Sequence, residues 1–184
     1  MALNLELKIK VKSFDEFEKI LNDINANYVG IINQKDIYYK FKNGLLKLRV
    51  ENNSYTLIKY LRNEKNKRWS NYELLELKGK NPEKYLKEIL QEEIIVKKKR
   101  KLYLFNNTRI HLDEVSSLGK FLELETLLIG DKNDATKRFI EIKNILGLND
   151  YQEIRKSYKN LLEEKWYYQK KIFNKTWFHN QNFF

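Results

Sequence analysis

Strict alternation of apolar and polar residues over positions 3–12 is the sequence feature that most constrains the fold. The apolar residues are Leu3, Leu5, Leu7, Ile9 and Val11, and every residue between them is polar or charged. A β-strand places successive side chains on opposite faces, so this pattern predicts a strand with one apolar and one charged face. The charged face points either into solvent or into a polar interior.

The remainder of the chain predicts an antiparallel α+β fold. Strands are predicted at 3–12, 28–33, 35–41, 45–51, 54–62, 69–78, 94–105, 108–115 and 120–130. Helices are predicted at 14–26, 82–91, 132–146 and 153–165. Turn sequences such as Asn43-Gly44 and Asn52-Asn53 join neighbouring strands as hairpins. This order of elements predicts a sheet that is closed or strongly curved on itself.

Composition excludes several kinds of site. The chain has no cysteine, which excludes disulfides, thiolate nucleophiles and cysteine-based zinc sites. Its two histidines, His111 and His179, are too few and too far apart in sequence for a histidine-built metal site. Lysine and arginine total 36 against 25 acidic residues, a net charge of +11. This excess favours a polyanionic partner, such as nucleic acid, a membrane surface or a phosphorylated small molecule.

Targeting signals and domain boundaries are not evident in the sequence. No apolar run reaches the roughly 18 residues of a transmembrane helix, and Glu6 falls where the apolar stretch of a signal peptide would begin. We therefore expect a cytoplasmic protein with no membrane partner.

Without repeats or linkers, the best division is one domain at 1–165 and an aromatic tail at 166–184. We expect the tail to pack on the domain or on a neighbouring subunit; a base-stacking surface is the alternative.

Charged residues recur on one face of strand after strand, with the basic and acidic rows on different strands. Such rows include Lys47 with Arg49, then Arg109 with His111 and Asp113, and finally Glu123 with Glu125. Either these faces are solvated, or the sheet closes and turns the rows towards one another. In a closed barrel the basic rows could hold a polyphosphate and the carboxylates could hold Mg²⁺, which prefers oxygen ligands. For His111, a hydrogen-bonded structural role is a better interpretation than a general base.

Four segments occur in the order of a known set of motifs. They are 4–8 (NLELK), 34–39 with 46–49, 57–62 with 68–72, and 98–125, which contains TRIHLD and LGKFLELE. Together they resemble the CYTH family of triphosphate tunnel enzymes, and in particular its class IV adenylyl cyclase-like branch. The likeness extends over residues 3–162.

The resemblance implies a closed eight-stranded antiparallel β-barrel with flanking α-helices that binds triphosphates together with Mg²⁺ or Mn²⁺. The residues that it implies as metal ligands and catalytic groups are Glu6, Asp113, Glu123 and Glu125. Those that it implies as phosphate-binding groups are Lys8, Lys47, Arg49, Arg62, Lys98, Arg100 and Arg109. The alternation alone leaves the inward residues of the 97–101 basic run ambiguous. It also places Lys59 and Arg62 on opposite faces, and we favour Arg62.

Asn4 stands where the opening E-x-E-x-K motif of the family has its first glutamate. The change removes one carboxylate from the implied metal site, although an amide can still offer its carbonyl oxygen.

Three functions are consistent with these features. The first is a metal-dependent enzyme acting on a nucleoside triphosphate, most like an adenylyl cyclase that converts ATP to 3′,5′-cyclic AMP and pyrophosphate. The second is a triphosphatase that hydrolyses tripolyphosphate, thiamine triphosphate or a nucleotide in the same tunnel. The third is a non-catalytic polyanion- or RNA-binding module, although a nucleic-acid partner is not the expectation. The resemblance also implies a homodimer.

Overall fold

The computed structural model describes the backbone of residues 2–60 and 69–180, and the side chains of 4–60 and 72–171. Within the described residues, eight strands and four α-helices are present. The strands are β1 (Ala2–Val11), β2 (Asn27–Tyr39), β3 (Leu45–Glu51), β4 (Ser54–Tyr60), β5 (Trp69–Leu77), β6 (Glu92–Phe105), β7 (Thr108–Val115) and β8 (Gly119–Leu127). The α-helices are α1 (Asp15–Asp23), α2 (Pro82–Ile89), α3 (Lys132–Ile145) and α4 (Tyr158–Asn180). None of the described helices combines the length and apolar character needed to cross a bilayer.

The strands form a closed antiparallel barrel in the order β1-β5-β4-β3-β2-β6-β7-β8. Closure comes from β1, which pairs with β5 on one side and with β8 on the other. The predicted Asn52-Asn53 hairpin joins β3 to β4, with positive φ angles of 47° and 64° that asparagine tolerates better than most residues. The predicted α+β fold with a closed eight-stranded barrel is confirmed.

The apolar faces of the strands point outward and lie beneath helices. Leu7 of β1 and Leu124 of β8 belong to one buried cluster, which also contains Leu21 of α1 and Phe139 of α3. A second outer cluster packs β2 and β3 against Leu86 of α2. Because strand side chains alternate, covering the apolar faces in this way turns the charged faces into the barrel.

One end of the barrel interior is apolar and packs against the start of α4. Tyr38, Val96 and Phe121 contact Tyr158 and Leu162 of that helix. The strand register places these three residues at the same end of the barrel, where β1 and β2 finish and β6 and β8 begin. The charged part of the interior therefore extends from this apolar end towards the opposite mouth.

Two predicted elements differ in the structure. The runs at 28–33 and 35–41 are one strand, β2, with no turn between them. Gln34 continues the ladder by pairing with Glu51 and Lys98. A polar residue at this point is accommodated because its side chain faces the barrel interior, where it donates to Glu51 at 2.6 Å.

The last helix begins later than the predicted 153–165 and extends further. Glu153 bridges to Ile9, and the Ile154 amide donates to the Lys8 carbonyl at 2.8 Å, so this segment runs alongside β1. The helix starts after Ser157, whose Oγ accepts a hydrogen bond from the Asn160 amide at 3.2 Å. Since α4 continues to Asn180, it crosses the predicted boundary at 165/166 without a break. The division into domain and tail stays a prediction.

Candidate functional site

The barrel register brings the predicted acidic residues together on adjacent strands. Glu6 of β1 lies opposite Glu125 of β8, and Lys8 lies opposite Glu123. On the other side of β8, His111 of β7 lies opposite Glu123. Residues directly opposite in an antiparallel pair share one face of the sheet, so this whole group faces the interior.

His111, Glu123 and Glu125 form a compact group of potential metal ligands, with one donor atom from each lying within 4.8 Å of the others. The Nδ1 atom of His111 is 3.9 Å from Glu123 Oε2 and 3.8 Å from Glu125 Oε1. His111 is only 3% exposed, and its Nδ1 has no hydrogen-bond partner among the described residues. The prediction of a hydrogen-bonded structural histidine therefore finds no support at Nδ1, and the role of His111 stays a prediction.

Burial and neighbouring charges set the protonation states of this group. Burial, assisted by Arg100, lowers the pKa of His111 to about 4, so the ring is neutral at pH 7. For Glu123, burial raises the pKa, but the nearby charges of Lys8 and Lys98 have the larger effect and lower it to about 2. The site therefore combines carboxylates that remain anionic with a neutral imidazole, a donor set that fits a divalent cation.

Asp113 of β7 forms ion pairs with two buried cations of the neighbouring strand β6. Arg100 donates to both of its carboxylate oxygens at 2.6 Å, and Lys98 donates to Oδ2 at 3.0 Å. The Tyr158 hydroxyl of α4 adds a third donor at 3.1 Å. Burial raises the pKa of Asp113, but Arg100 and Lys98 together hold it well below its usual value. Asp113 is therefore paired with two cations. Arg100 also donates a hydrogen bond to Glu123 Oε2 at 2.6 Å.

A second cationic pair lies on β3, across β2 from the first. Lys47 donates to Asp36 at 2.7 Å, and Arg49 donates to both carboxylate oxygens of Asp36 at 2.9 and 3.0 Å. Burial, together with the charge of Arg49, lowers the pKa of Lys47 to about 7. Asp36 was not among the predicted site residues. The available signal was that Asp36 lies two positions from Tyr38 and therefore shares its strand face. If that face points into the barrel, the buried carboxylate needs cationic partners, and Lys47 and Arg49 provide them.

Lys8 and Arg109 contribute the remaining predicted cations on the acidic side of the interior. Lys8 Nζ is 3.1 Å from Glu123 Oε1 and 4.2 Å from the centroid of the Tyr158 ring. Arg109 Nη1 is 3.6 Å from Glu125 Oε2, and its side chain is 43% exposed. This exposure places Arg109 towards the open mouth, away from the apolar end.

The other sequence predictions have mixed outcomes. Lys98 and Arg100 are buried inside while Lys97 and Lys99 are exposed, so the resemblance selected the inward pair correctly. Lys59 pairs at 2.5 Å with Glu73, and both are substantially exposed on the outer surface. Arg62 lies outside the described residues, and its role stays a prediction.

Asn4, at the position of the missing motif glutamate, is buried and donates to the Tyr72 hydroxyl at 3.2 Å. Its carbonyl oxygen has no hydrogen-bond partner among the described residues.

A closed antiparallel barrel with cations and carboxylates on its inner wall defines a tunnel protein with a charged interior. The sequence matches the CYTH domain over residues 2–158, and the chain therefore belongs to the CYTH family. Members of this family are adenylyl cyclase-like or triphosphatase enzymes, and the family match assigns this chain to that class.

Individual relatives agree with the family assignment. A Methanocaldococcus jannaschii protein, named as a candidate adenylate cyclase, is 26% identical over 175 residues, covering 86% of this chain and 98% of that protein. A Pyrococcus horikoshii structure is similar with a TM-score of 0.71 at 25% identity, covering 84% of this chain and 96% of that one. A Hippeastrum structure, titled as a candidate adenylyl cyclase with a dominant triphosphatase activity, has a TM-score of 0.62 at 13% identity. That match covers 90% of this chain and 96% of the Hippeastrum chain.

Proposed function

We propose that this chain is a divalent-metal-dependent enzyme acting on a nucleoside triphosphate, most like a class IV adenylyl cyclase that converts ATP to 3′,5′-cyclic AMP and pyrophosphate. The observation that carries the proposal is the arrangement of the inner wall. Two inward-facing cation pairs, Lys47 with the partly buried Arg49 and Lys98 with Arg100, line the same interior as the Glu123–Glu125 acidic group.

The cation pairs are suited to a chain of phosphates. Arg49 and Arg100 each present a planar guanidinium, which can bind two oxygens of a phosphate at once, and the neighbouring lysines add point charges. In the free protein Asp36 and Asp113 hold these side chains in place. We assign Asp113 the role of supporting Lys98 and Arg100, and Lys8 and Arg109 the role of binding phosphate oxygens near the glutamates.

The acidic group fits a divalent cation, because it contains anionic glutamates and a buried ring nitrogen without a partner. Glu123, Glu125 and, by register, Glu6 would hold the ion, assigned as Mg²⁺ or Mn²⁺. When bound there, a divalent cation supplies positive charge that neutralises the phosphates and makes an attached hydroxyl more acidic.

The chain's own residues would contribute mainly by positioning. With the β- and γ-phosphates held by the basic pairs, the reaction requires the α-phosphorus to be placed in line with the ribose 3′-oxygen. The 3′-hydroxyl releases its proton to solvent as its oxygen bonds to the α-phosphorus, the bond from that phosphorus to the bridging oxygen of the β-phosphate breaks, and pyrophosphate leaves. The buried cations stabilise the charge that develops on the leaving pyrophosphate.

A triphosphatase is the second candidate, because a row of phosphate-binding cations suits any triphosphate. In that reaction water attacks the terminal phosphorus, and the products from ATP are ADP and orthophosphate. The Hippeastrum protein carries a triphosphatase activity on the same fold, so the fold alone does not choose between the two reactions.

A product assay distinguishes the candidates. Purified protein is incubated with ATP, GTP, thiamine triphosphate or tripolyphosphate, each with Mg²⁺ or Mn²⁺. Cyclic AMP with pyrophosphate supports cyclisation, whereas ADP with orthophosphate refutes it and supports hydrolysis.

Two variants test whether the acidic group is needed. Glu123→Gln and Glu125→Gln are expected to reduce turnover by at least the roughly 10–100-fold that loss of an outer-shell partner causes, while Glu73→Gln on the outer surface is the matched control. Absence of turnover on every substrate, combined with metal-independent RNA binding that both variants retain, would support a non-catalytic polyanion-binding module.

A further inference from the structure

The His111 imidazole, a potential donor to which the proposed function assigns no ligand role, lies beside the two glutamates of β8. We infer that His111 is a metal ligand through Nδ1, which makes the acidic group a mixed nitrogen and oxygen site that prefers a transition-metal cation such as Mn²⁺ over Mg²⁺. The inference rests on the proposed metal-dependent function and deepens it, because it states which cation the site selects.

The spacing of the donor atoms fits a shared ion. Two ligands that each bind one divalent cation at about 2.0–2.2 Å have donor atoms roughly 3–4 Å apart. The Nδ1 atom of His111 lies 3.8 and 3.9 Å from oxygens of Glu125 and Glu123. The side chains would therefore need only small adjustments, and His111 is held in register by its position opposite Glu123.

Among the described residues, no hydrogen bond fixes the position of the His111 Nδ1 atom. The carboxylate oxygens of Glu123 and Glu125 lie 3.9 and 3.8 Å away, beyond hydrogen-bond distance, so this nitrogen forms no hydrogen bond with either glutamate. Buried polar atoms nearly always have a partner, and a buried nitrogen that faces two carboxylates without bonding either is placed to share a cation with them. A lone pair on Nδ1 would be repelled by the two glutamates unless a positive ion stood between them.

The identity of the ligands predicts the metal preference. Mg²⁺ favours oxygen ligands, whereas imidazole nitrogen strengthens binding of transition metals. Asn4 supplies a neutral amide where the family motif has a carboxylate, which reduces the number of anionic oxygens available to Mg²⁺. The ring nitrogen of His111 would add a donor that Mn²⁺ accepts more readily.

Mn²⁺ binding without nucleotide tests the inference directly. The full chain is titrated with Mn²⁺ and, separately, with Mg²⁺, and bound Mn²⁺ is examined by pulsed electron paramagnetic resonance. The expected result is a ¹⁴N coupling from a directly bound imidazole, which changes when histidine is labelled with ¹⁵N. Because labelling also marks His179, the coupling must disappear in His111→Ala to be assigned.

Affinities give the second readout. His111→Ala is expected to weaken Mn²⁺ binding by about 10–100-fold and to weaken Mg²⁺ binding much less. His111→Asn, which places an oxygen near the Nδ1 position, is expected to retain part of the Mn²⁺ affinity but none of the ¹⁴N coupling. Glu73→Gln on the outer surface is the control, and circular dichroism checks that each variant is folded.

Three results would overturn the inference. They are bound Mn²⁺ without a histidine ¹⁴N coupling, equal effects of His111→Ala on both metals, and no Mn²⁺ binding by the wild-type chain. If His111→Ala fails to fold, the ¹⁵N-histidine spectrum of His179→Ala decides, because His111 is then the only histidine in the chain. A nitrogen-coupled Mn²⁺ site in a chain without turnover would refute the proposed function alone, whereas turnover without the coupling would refute only this inference.

Discussion

Replacing Asp113 with asparagine removes one negative charge from the most buried ionic network while almost preserving side-chain volume. Asp113 is fully buried and accepts hydrogen bonds from Arg100, Lys98 and Tyr158. The substitution leaves Lys98 without its carboxylate partner, while Arg100 retains Glu123. Removing one partner of a buried ion pair destabilises a protein by about 3–5 kcal/mol. We expect a loss near the lower value, because Glu123 still compensates Arg100.

Urea unfolding followed by circular dichroism measures this loss, and melting temperature provides a second measurement. For a chain of this size 1 kcal/mol corresponds to about 2–4 °C, so a loss of about 3 kcal/mol lowers the melting temperature by about 6–12 °C. The matched control is Glu73→Gln, which breaks an exposed pair with Lys59 and should cost less than about 1 kcal/mol. A loss in Asp113→Asn as small as in this control would refute the reasoning.

The pH dependence of the same difference provides an independent check. The pKa of Asp113 in the folded protein lies well below 3.8, so the unfolded chain binds the proton more readily as the pH falls. The stabilising contribution is therefore complete at pH values well above 3.8 and is lost as the pH falls through the folded pKa. The difference between wild type and Asp113→Asn should be constant from pH 5 to 8 and shrink only in stronger acid. A difference that already shrinks between pH 8 and 6 would contradict this assignment.

Three further predictions follow from other parts of the barrel. Because burial lowers the pKa of Lys47 to about 7 and a bound polyanion would raise it, tripolyphosphate binding should take up protons and weaken as the pH rises above 7. Calorimetry in buffers of different ionisation enthalpy measures the uptake, and an unchanged uptake in Lys47→Met would contradict it. Tyr158→Phe removes a hydrogen bond to a buried carboxylate and should cost about 1.5–3 kcal/mol in urea unfolding, whereas exposed Tyr167→Phe should cost almost nothing. Phe139→Ala should lower the free energy of unfolding by about 3–5 kcal/mol, because the Phe139 ring packs from α3 into the buried cluster against the barrel. The same substitution at the neighbouring Ile140, which is 49% exposed, should cost far less, and similar losses at both sites would show that α3 does not pack as described.

The alternation at 3–12 was sufficient to predict strand β1, and the asparagine turns were sufficient to place hairpins. These are local properties, because strand geometry and positive φ depend on a few neighbouring residues. The later start of α4 could not be predicted in this way. Glu153 lies in a segment with helical spacing, but pairing with Ile9, more than 140 positions earlier, holds that segment extended.

The candidate site was predicted only in part for the same reason. The resemblance identified Lys98 and Arg100, but alternation alone could not distinguish them from their basic neighbours. Asp36 and His111 were not recognised as members of the site, because the sequence does not show which strand faces turn inward. Their contacts with Arg49, Glu123 and Glu125 lie across the β2–β3 and β7–β8 hairpins and depend on the strand register and on closure of the barrel.

The amino-acid sequence by itself determined which segments are strands, which face of each strand is charged, and the family to which the chain belongs. The tertiary structure alone decided that the charged faces point inward, because this depends on the pairing of β1 with β8 and on the helices that cover the apolar faces. Pairing between strands more than 100 residues apart is set by the packing of the whole chain. The direction of a charged face, and with it the existence of a site, is therefore a property of the closed barrel.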